Sequence, residues 1–125
     1  MKRPIHRENT VCPTIMATPE AIEKHNKAMK FDGDKVRQEL LMQGCPNAIE
    51  GVSKVLTFGA AKYAAHSWKQ LENNVERYTG ALYRHMNAID RGEEVDPESG
   101  LPHIYHVACN AMFLAELYSV NKTDA

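Results

Sequence analysis

The composition, 43% hydrophobic and 25% charged, is that of an ordinary globular protein, and 125 residues suffice for one domain with a modest core. The 15 basic and 16 acidic residues give a net charge of −1, which excludes a general electrostatic attraction to nucleic acid or an anionic membrane. No apolar run is long enough to span a bilayer and the N-terminus lacks a signal-peptide core, so we predict a cytoplasmic protein.

The first elements follow from helix start and stop signals. Residues 1–17 show no periodicity and predict an irregular N-terminal arm. Thr18 and Pro19 are typical of a helix start, because threonine caps the first turn and proline fits its first position. That helix is expected to end near Met29, before a turn, and residues 35–42 predict a second short helix.

The middle of the chain has a clear helical period. Apolar residues recur at three and four positions over residues 47–65, which predicts an amphipathic helix. Gly59 within it predicts either a close approach of another helix or a partial break. Residues 66–72 are expected to form a connection anchored by Trp68.

The longest predicted helix covers residues 72–91 and is terminated by Gly92. An acidic turn follows, and Ser99 or Gly100 is expected to cap the last helix. That helix is predicted to end before a polar tail at residues 121–125. No alternating strand pattern competes with these helices. The fold class is therefore predicted as all-α, a compact bundle of four to five helices in residues 18–120 after the arm.

The segment from Arg84 to Asn110 contains three histidines and five carboxylates. His103, His106 and Asn110 are spaced so that they share one face of the last helix. His85 lies on the preceding helix, and an antiparallel arrangement would bring it close to His103 or His106. The alternative is that these histidines are partnered interior residues beside a solvated acidic turn.

The acidic turn offers oxygen ligands, namely Asp96 and Glu98 with Glu93 and Glu94 before them. The three cysteines are widely spaced and form no CxxC pair, which argues against a cysteine zinc site. A mixed histidine and carboxylate site suits zinc, manganese or iron, whereas a site dominated by carboxylates suits magnesium. Such an ion could bridge phosphate oxygens and activate water.

A second cluster, residues 58–69, combines cations that could meet phosphates with rings that could stack on a base: Lys62, Lys69, Tyr63 and Trp68. Arg77 and Arg84 share a face of the long helix and could clamp an anion or pair with nearby glutamates. The alternative for the cluster is a helix end whose aromatic rings fill the core. The segment KFDGDK at residues 30–35 predicts a turn, or a weak metal or substrate contact.

Three segments in order, KFDGDKVRQELL, VLTFGAAKYAAHSW and ERYTGALYRHMNAIDRGEEVDPESGLPHIYHVACNAMFL, resemble the phage-associated family of dATP/dGTP diphosphohydrolase N-terminal domains. The resemblance covers about residues 30–118. It implies a small helical protein that acts on purine deoxynucleotides and releases pyrophosphate. The positions carried over are Asp32, Asp34, Lys35, Lys62, Tyr63, Trp68, Arg84, His85, Glu94, Asp96, Glu98, His103, His106 and Asn110.

The sequence departs from a more distant relationship. MazG-like all-α nucleotide pyrophosphohydrolases, to which the family is distantly similar, hold magnesium with ExxE and ExxD motifs on two helices. The corresponding last helix here offers His103, His106 and Asn110. Either the metal site is rebuilt around histidines and the acidic turn, or the domain binds a nucleotide without hydrolysing it.

Our leading hypothesis is metal-dependent hydrolysis of purine deoxynucleoside triphosphates to monophosphate and pyrophosphate by a homo-oligomer that binds neither nucleic acid nor membrane. The expected ion is magnesium or manganese, with zinc as an alternative, held by His85, Asp96, Glu98 and His103. The catalytic candidates are Glu94 and His106. The substrate-binding candidates are Lys35, Lys62, Tyr63, Trp68, Lys69, Arg84 and Asn110. The alternatives are a non-catalytic phage-encoded protein that sequesters a nucleotide or nucleotide signal, and a structural domain with a histidine-rich interior.

Overall fold

The computed structural model describes residues 18–124, without the side chains of residues 28–32 and 123–124. The predicted N-terminal arm, residues 1–17, lies outside the described residues. The chain falls into two compact units, with the boundary between Arg37 and Gln38, and the predicted domain of residues 18–120 stays a prediction. Each unit is described by itself.

The first unit contains helix α1, Pro19–Phe31, and a 3₁₀ turn, Asp32–Asp34. The predicted helix start is confirmed. The Thr18 hydroxyl oxygen accepts a hydrogen bond of 3.1 Å from the backbone N–H of Ala21, and Pro19 occupies the first helical position. The turn ends the helix at the predicted break.

The second unit contains four α-helices and a 3₁₀ turn, in the order α2 Gln38–Gly44, α3 Pro46–Lys62, the turn Ser67–Gln70, α4 Asn74–Asp90 and α5 His103–Asp124. Over residues 18–124 the chain forms five α-helices and no strand, apart from one isolated bridge between Val95 and Pro102. The all-α prediction is confirmed. None of the described helices is long and apolar enough to cross a membrane.

Helix α4 ends as predicted at Gly92, whose φ of 95° is readily adopted by glycine alone. The N–H of Gly92 binds the carbonyl of Ile89 and the N–H of Glu93 binds the carbonyl of Ala88, both at 2.9 Å. These two bonds form a Schellman motif, which satisfies the last carbonyls of the helix. The motif also fixes the direction in which the chain leaves α4.

Helix α5 differs from its prediction at both ends. It begins at His103, so Ser99 and Gly100 lie too far upstream to cap it, and the predicted cap is wrong. The hydroxyl of Ser99 instead binds groups of the site described below. The helix continues to Asp124, through most of the stretch predicted as a polar tail.

Helices α4 and α5 are antiparallel, as expected. His85 contacts His103 and His106, whereas Tyr78, earlier on α4, contacts Phe113, later on α5. The face of α5 turned inward contains five of the seven buried residues in the described part of the chain, namely His103, His106, Cys109, Asn110 and Leu117. The predicted shared face of the two histidines and Asn110 is therefore a buried one.

Helices α3 and α5 approach most closely at Gly51, not at Gly59. A β-carbon added at Gly51 would overlap the ring of Tyr105, whereas one added at Gly59 would meet nothing within 4 Å. The expectation that Gly59 marks the close approach is wrong, and α3 is also unbroken at that position. The absence of a side chain at Gly51 makes room for the Tyr105 ring of α5.

Candidate functional site

The loop between α4 and α5 is closed by its own hydrogen bonds. The backbone N–H of Asp96 binds the carbonyl of Leu101 at 2.9 Å, and the N–H of Gly100 binds the carbonyl of Asp96 at 2.8 Å. Gly100 has a φ of 73°, which a residue with a β-carbon adopts only with strain. One Asp96 carboxylate oxygen, Oδ2, accepts from both the N–H and the hydroxyl of Ser99, at 3.0 and 2.8 Å. The Asp96 side chain is thereby held in one orientation.

Two histidines and a glutamate form a continuous chain between the loop and α4. Nε2 of His103 lies 2.7 Å from Oε1 of Glu93, and Nδ1 of His103 lies 2.8 Å from Nδ1 of His85. The backbone N–H of His103 also donates to the carbonyl of Glu94 at 2.8 Å. Because His103 is only 3% exposed, these contacts hold its ring in place.

His106 lies on the other side of His85. The two rings are nearly parallel, with an interplanar angle of 6° and centroids 4.4 Å apart. Nε2 of His106 lies 2.7 Å from the Ser99 hydroxyl oxygen and 3.6 Å from Oδ2 of Asp96. The amide nitrogen of Asn110 donates to the His106 carbonyl at 2.8 Å. His85 is therefore contacted on its edge by His103 and on its face by His106.

His85, Asp96 and His103 form a group that can hold a metal ion. One ligand atom from each lies within 4.8 Å of the other two. Glu98, which was predicted to join them, instead accepts a hydrogen bond from the ammonium group of Lys62 through its carboxylate. The structure thus brings three of the four predicted metal ligands together and engages the fourth in an ion pair.

Burial and hydrogen bonding shift the ionisation of this group. Burial lowers the pKa of His85, and the neighbouring His106 and His103 lower it further. Burial likewise lowers the pKa of His106, although Asp96 opposes the shift. Burial alone would raise the pKa of Asp96, but the two hydrogen bonds from Ser99 and the adjacent imidazoles outweigh it and bring the pKa below its ordinary value. At neutral pH these shifts favour neutral His85 and His106 beside an ionised Asp96.

A cavity of about 700 Å³ opens beside the imidazoles. His85, Asp96, Glu98, His106 and Asn110 line one part of it, next to three cationic side chains, those of Lys62, Arg77 and Arg84. The pair with Glu98 raises the pKa of Lys62, which keeps the ammonium group charged. A volume of this size lies within the range of roughly 300–1,000 Å³ typical of small-molecule sites.

Aromatic rings line another part of the cavity. Trp68 stacks on Phe113 with centroids 4.0 Å apart and an angle of 13°, and the Tyr78 hydroxyl donates to the Trp68 carbonyl at 2.9 Å. Phe113 follows His106 by seven residues, about 10 Å along α5. The cavity therefore extends from an imidazole end to an aromatic end. Tyr63, which also lines it, is 71% exposed.

Four predicted site residues do not line this cavity. His103 is buried and contacts His85, which does line it. Lys69 lies over the Trp68 ring at 5.7 Å and lines a second cavity of about 520 Å³. Glu94 is exposed and meets the site through its backbone carbonyl. Lys35 belongs to the first unit, and its role stays a prediction.

Two residues of the site, Glu93 and Ser99, were not among the predicted site residues. From the sequence, Glu93 was expected only as one of several oxygen ligands and Ser99 only as a helix cap. A signal for Glu93 does exist, because it follows the helix-ending Gly92 and is therefore carried into a fixed position. The contacts of Ser99 depend on how the loop closes, which spacing does not reveal.

Comparison with known proteins supports the resemblance seen in the motifs. The family described as dATP/dGTP diphosphohydrolase, N-terminal, matches residues 25–124. The chain belongs to this family. A protein of Salmonella phage PMBT28 named dATP/dGTP diphosphohydrolase is 34% identical over 96 residues. No solved structure matches the chain.

The similarity to the phage protein covers 77% of this chain but 31% of the relative. The chain thus spans about a third of the length of the dATP/dGTP diphosphohydrolase that it matches. The family match includes every residue of the His85–Asp96–His103 group and every residue that lines the cavity.

Proposed function

We propose that this member of the diphosphohydrolase N-terminal family binds a purine deoxynucleoside triphosphate in the cavity and hydrolyses it to monophosphate and pyrophosphate. The observation that carries the proposal is that three cations, exposed Tyr63, and His85 and Asp96 of the His85–Asp96–His103 group line one cavity of about 700 Å³. The name of the phage relative supplies the substrate class.

The cations would bind the triphosphate. Arg84 and Lys62 line the same cavity as His85 and Asp96, and Lys62 is paired with Glu98. An incoming triphosphate would compete with Glu98 for the ammonium group of Lys62. Arginine binds phosphate oxygens through a planar pair of N–H groups, and lysine binds them as a point charge.

The purine would occupy the aromatic part of the cavity. One face of Trp68 is covered by Phe113, which leaves less of that ring available to a base. Tyr63 is exposed, with the Lys62 ammonium 5.2 Å from the ring centroid. We therefore assign the stacking role to Tyr63 before Trp68, and Asn110 lies between the two parts of the cavity.

The donor set fits a divalent ion. Two imidazoles and a carboxylate converge, and Glu93 binds the outer nitrogen of His103, as carboxylates commonly do behind a metal-binding histidine. Nitrogen donors favour manganese or zinc over magnesium, which prefers oxygen. His85, His103 and Asp96 would hold the ion, which would supply positive charge to the phosphates.

In the hydrolysis itself, the oxygen of a water molecule attacks the α-phosphorus and the bond from that phosphorus to the bridging oxygen of pyrophosphate breaks. One proton of the water passes to a base. His106 lines the cavity and Glu94 does not, so we assign this role to His106.

The test is to incubate the purified chain with each of the four deoxynucleoside triphosphates and magnesium, manganese or zinc, with a chelator control. We expect monophosphate and pyrophosphate from dATP and dGTP, identified by chromatography and phosphorus NMR, in amounts that depend on the ion. If no combination of nucleotide and metal ion gives a product, the proposal that this chain is a hydrolase is refuted.

A second candidate, a nucleotide-binding protein without catalysis, is favoured by one observation. Among the described residues, the metal-binding group has a single carboxylate, Asp96, because Glu98 is paired with Lys62. Calorimetry that shows tight binding of dATP or dGTP without an ion, with the nucleotide recovered intact, would support this candidate. Absence of both binding and turnover would leave a structural domain.

The homo-oligomer also remains a proposal. Leu40, Leu41 and Met42 on α2 are 62%, 58% and 56% exposed, which is more apolar surface than one short helix usually leaves to water. Light scattering on the eluting protein would determine its mass. Placement in the host cytoplasm and the lack of nucleic-acid binding follow from the sequence expectations and are likewise untested.

A further inference from the structure

Ser99 stands between the loop and α5 and contacts three groups at once. Its hydroxyl oxygen lies 2.8 Å from Oδ2 of Asp96, 2.7 Å from Nε2 of His106 and 3.2 Å from the backbone nitrogen of Leu101. Its own backbone N–H donates to the same Asp96 oxygen at 3.0 Å. The side chain of Ser99 does not line the cavity, so it acts on the site only through these neighbours.

The protons in these contacts can be counted. A serine hydroxyl has one proton to donate and two lone pairs to accept with. The N–H of Leu101 can only donate, so it occupies one lone pair. The Asp96 carboxylate can only accept, so it takes the hydroxyl proton. The remaining lone pair faces Nε2 of His106, and a stable contact at 2.7 Å requires that this nitrogen carries a hydrogen.

The same count fixes the tautomer of the ring. With its hydrogen on Nε2, a neutral His106 has its lone pair on Nδ1.

We propose that Ser99 is a positioning residue that holds the Asp96 carboxylate and fixes His106 in the Nε2–H tautomer, with the lone pair on Nδ1. Its catalytic consequence rests on the proposed function, because Nδ1 is then the nitrogen that accepts the proton from water. The tautomer itself does not depend on turnover. Since the His106 ring also stacks on His85, Ser99 restrains the face of that ring as well.

The experiment uses nitrogen-15-labelled, metal-free protein at neutral pH and long-range proton–nitrogen correlation NMR, which distinguishes the two histidine tautomers. The resonances of His106 are assigned from their loss in His106→Gln. We expect the Nε2–H tautomer in the wild type and in Ser99→Thr, which retains the hydroxyl. We expect a mixture with the Nδ1–H tautomer in Ser99→Ala.

The matched control is Ser53→Ala, the same change at an exposed serine of α3 whose hydroxyl donates to the Ile49 carbonyl at 2.7 Å. It should leave the His106 spectrum unchanged. An Nδ1–H tautomer in the wild type would overturn the proposal, and so would a spectrum of folded Ser99→Ala identical to the wild type. If Ser99→Ala does not fold, the wild type and Ser99→Thr decide, since both must show Nε2–H.

Measurements of hydrolysis by the Ser99 variants separate this inference from the proposed function. Ser99→Ala should lower kcat by about 10- to 100-fold, the usual loss when a group behind a metal ligand is removed, with a smaller change in KM. Ser99→Thr should recover most of the rate. If the wild type turns over no nucleotide, the hydrolase proposal fails while the NMR result still decides the role of Ser99. Equal kcat in Ser99→Ala and wild type would refute a positioning role.

Discussion

Beside the cavity, His103 and His106 are buried and each is hydrogen-bonded to a loop side chain, whereas Lys62 and Arg84 line the cavity from helix surfaces and are exposed. Burial and these hydrogen bonds hold the two histidines in place. The two cations keep the freedom of long side chains. A site organised in this way would hold the reacting groups rigidly and adapt its cations to the triphosphate, so the two ends should respond differently to mutation.

The strongest test of this difference is His85→Ala, which removes the ring that both other imidazoles contact. We expect hydrolysis to fall by about 10²- to 10⁴-fold, the range for loss of a group that acts directly in proton transfer or ion binding. Nucleotide affinity, measured by calorimetry, should change little because the cations remain. His25→Ala, at an exposed histidine of α1, is the matched control. Undiminished hydrolysis in His85→Ala would place the chemistry elsewhere.

Arg84→Ala probes the exposed end. Loss of charge-assisted hydrogen bonds to phosphate should raise KM and the dissociation constant by about 10- to 100-fold, with kcat less affected. Arg84→Lys should recover part of the affinity, because lysine restores the charge but not the paired N–H groups. Lys54→Ala, on the exposed surface of α3, is the control for removal of a positive charge. A fall in kcat alone would mean that Arg84 acts together with the rigidly held histidines and not as an adaptable phosphate-binding cation.

Gly51→Ala tests whether the helix that carries Lys62 and Tyr63 can be displaced separately from the imidazoles. The added β-carbon would overlap the Tyr105 ring, so we expect a loss of about 1–3 kcal/mol of unfolding free energy in urea. Gly59→Ala, in the same helix with open space around it, should gain about 0.5–1 kcal/mol from its better helix propensity. If both variants shift stability alike, the close approach at Gly51 does not hold α3 on α5.

The smallest expected effect is a pH dependence of stability in the metal-free protein. The pKa values of His85 and His106 are lowered from 6.5, so between the lowered values and 6.5 the unfolded chain binds more protons than the folded one. This stabilisation is complete above 6.5 and is lost as the pH falls through the lowered values. The lowered pKa of Asp96 acts in the same direction at more acidic pH.

We therefore expect the unfolding free energy to decrease from pH 7.5 to pH 5.5, by at most about 1.4 kcal/mol per pH unit for each extra proton and less where solvent screens the charge. Urea titrations at several pH values measure the slope. His106→Gln should make it shallower, because one of the two titrating rings is gone. A slope of opposite sign would mean that folding favours the charged imidazoles.

The histidine part of the site could be predicted from the sequence, because helical periodicity determines which residues share a face of a helix. His103, His106 and Asn110 had to share a face, and a connection of about ten residues permits α4 and α5 to be antiparallel neighbours. These placements follow from regular geometry, which spacing encodes.

The remainder depends on contacts that spacing does not encode. The roles of Ser99 and Glu93 arise from a loop closed by hydrogen bonds between Asp96, Leu101 and Gly100. Glu98 could equally have joined the histidines, and only the position of Lys62 at the end of α3 decides its pairing. The close approach at Gly51 and not Gly59 depends on how α3 crosses α5, which helix propensity leaves open.

The stack of His85 on His106 has a consequence for the helices that carry it. A shift of α5 by one residue along its axis would move His106 by about 1.5 Å and turn it through roughly 100°, which would separate the two rings. Sliding of α4 against α5 would therefore break the stack, the contact of His85 with His103 and the link through Ser99 together. The histidine NMR signals thus report helix register, and any binding partner that changes the register would also change the state of the site.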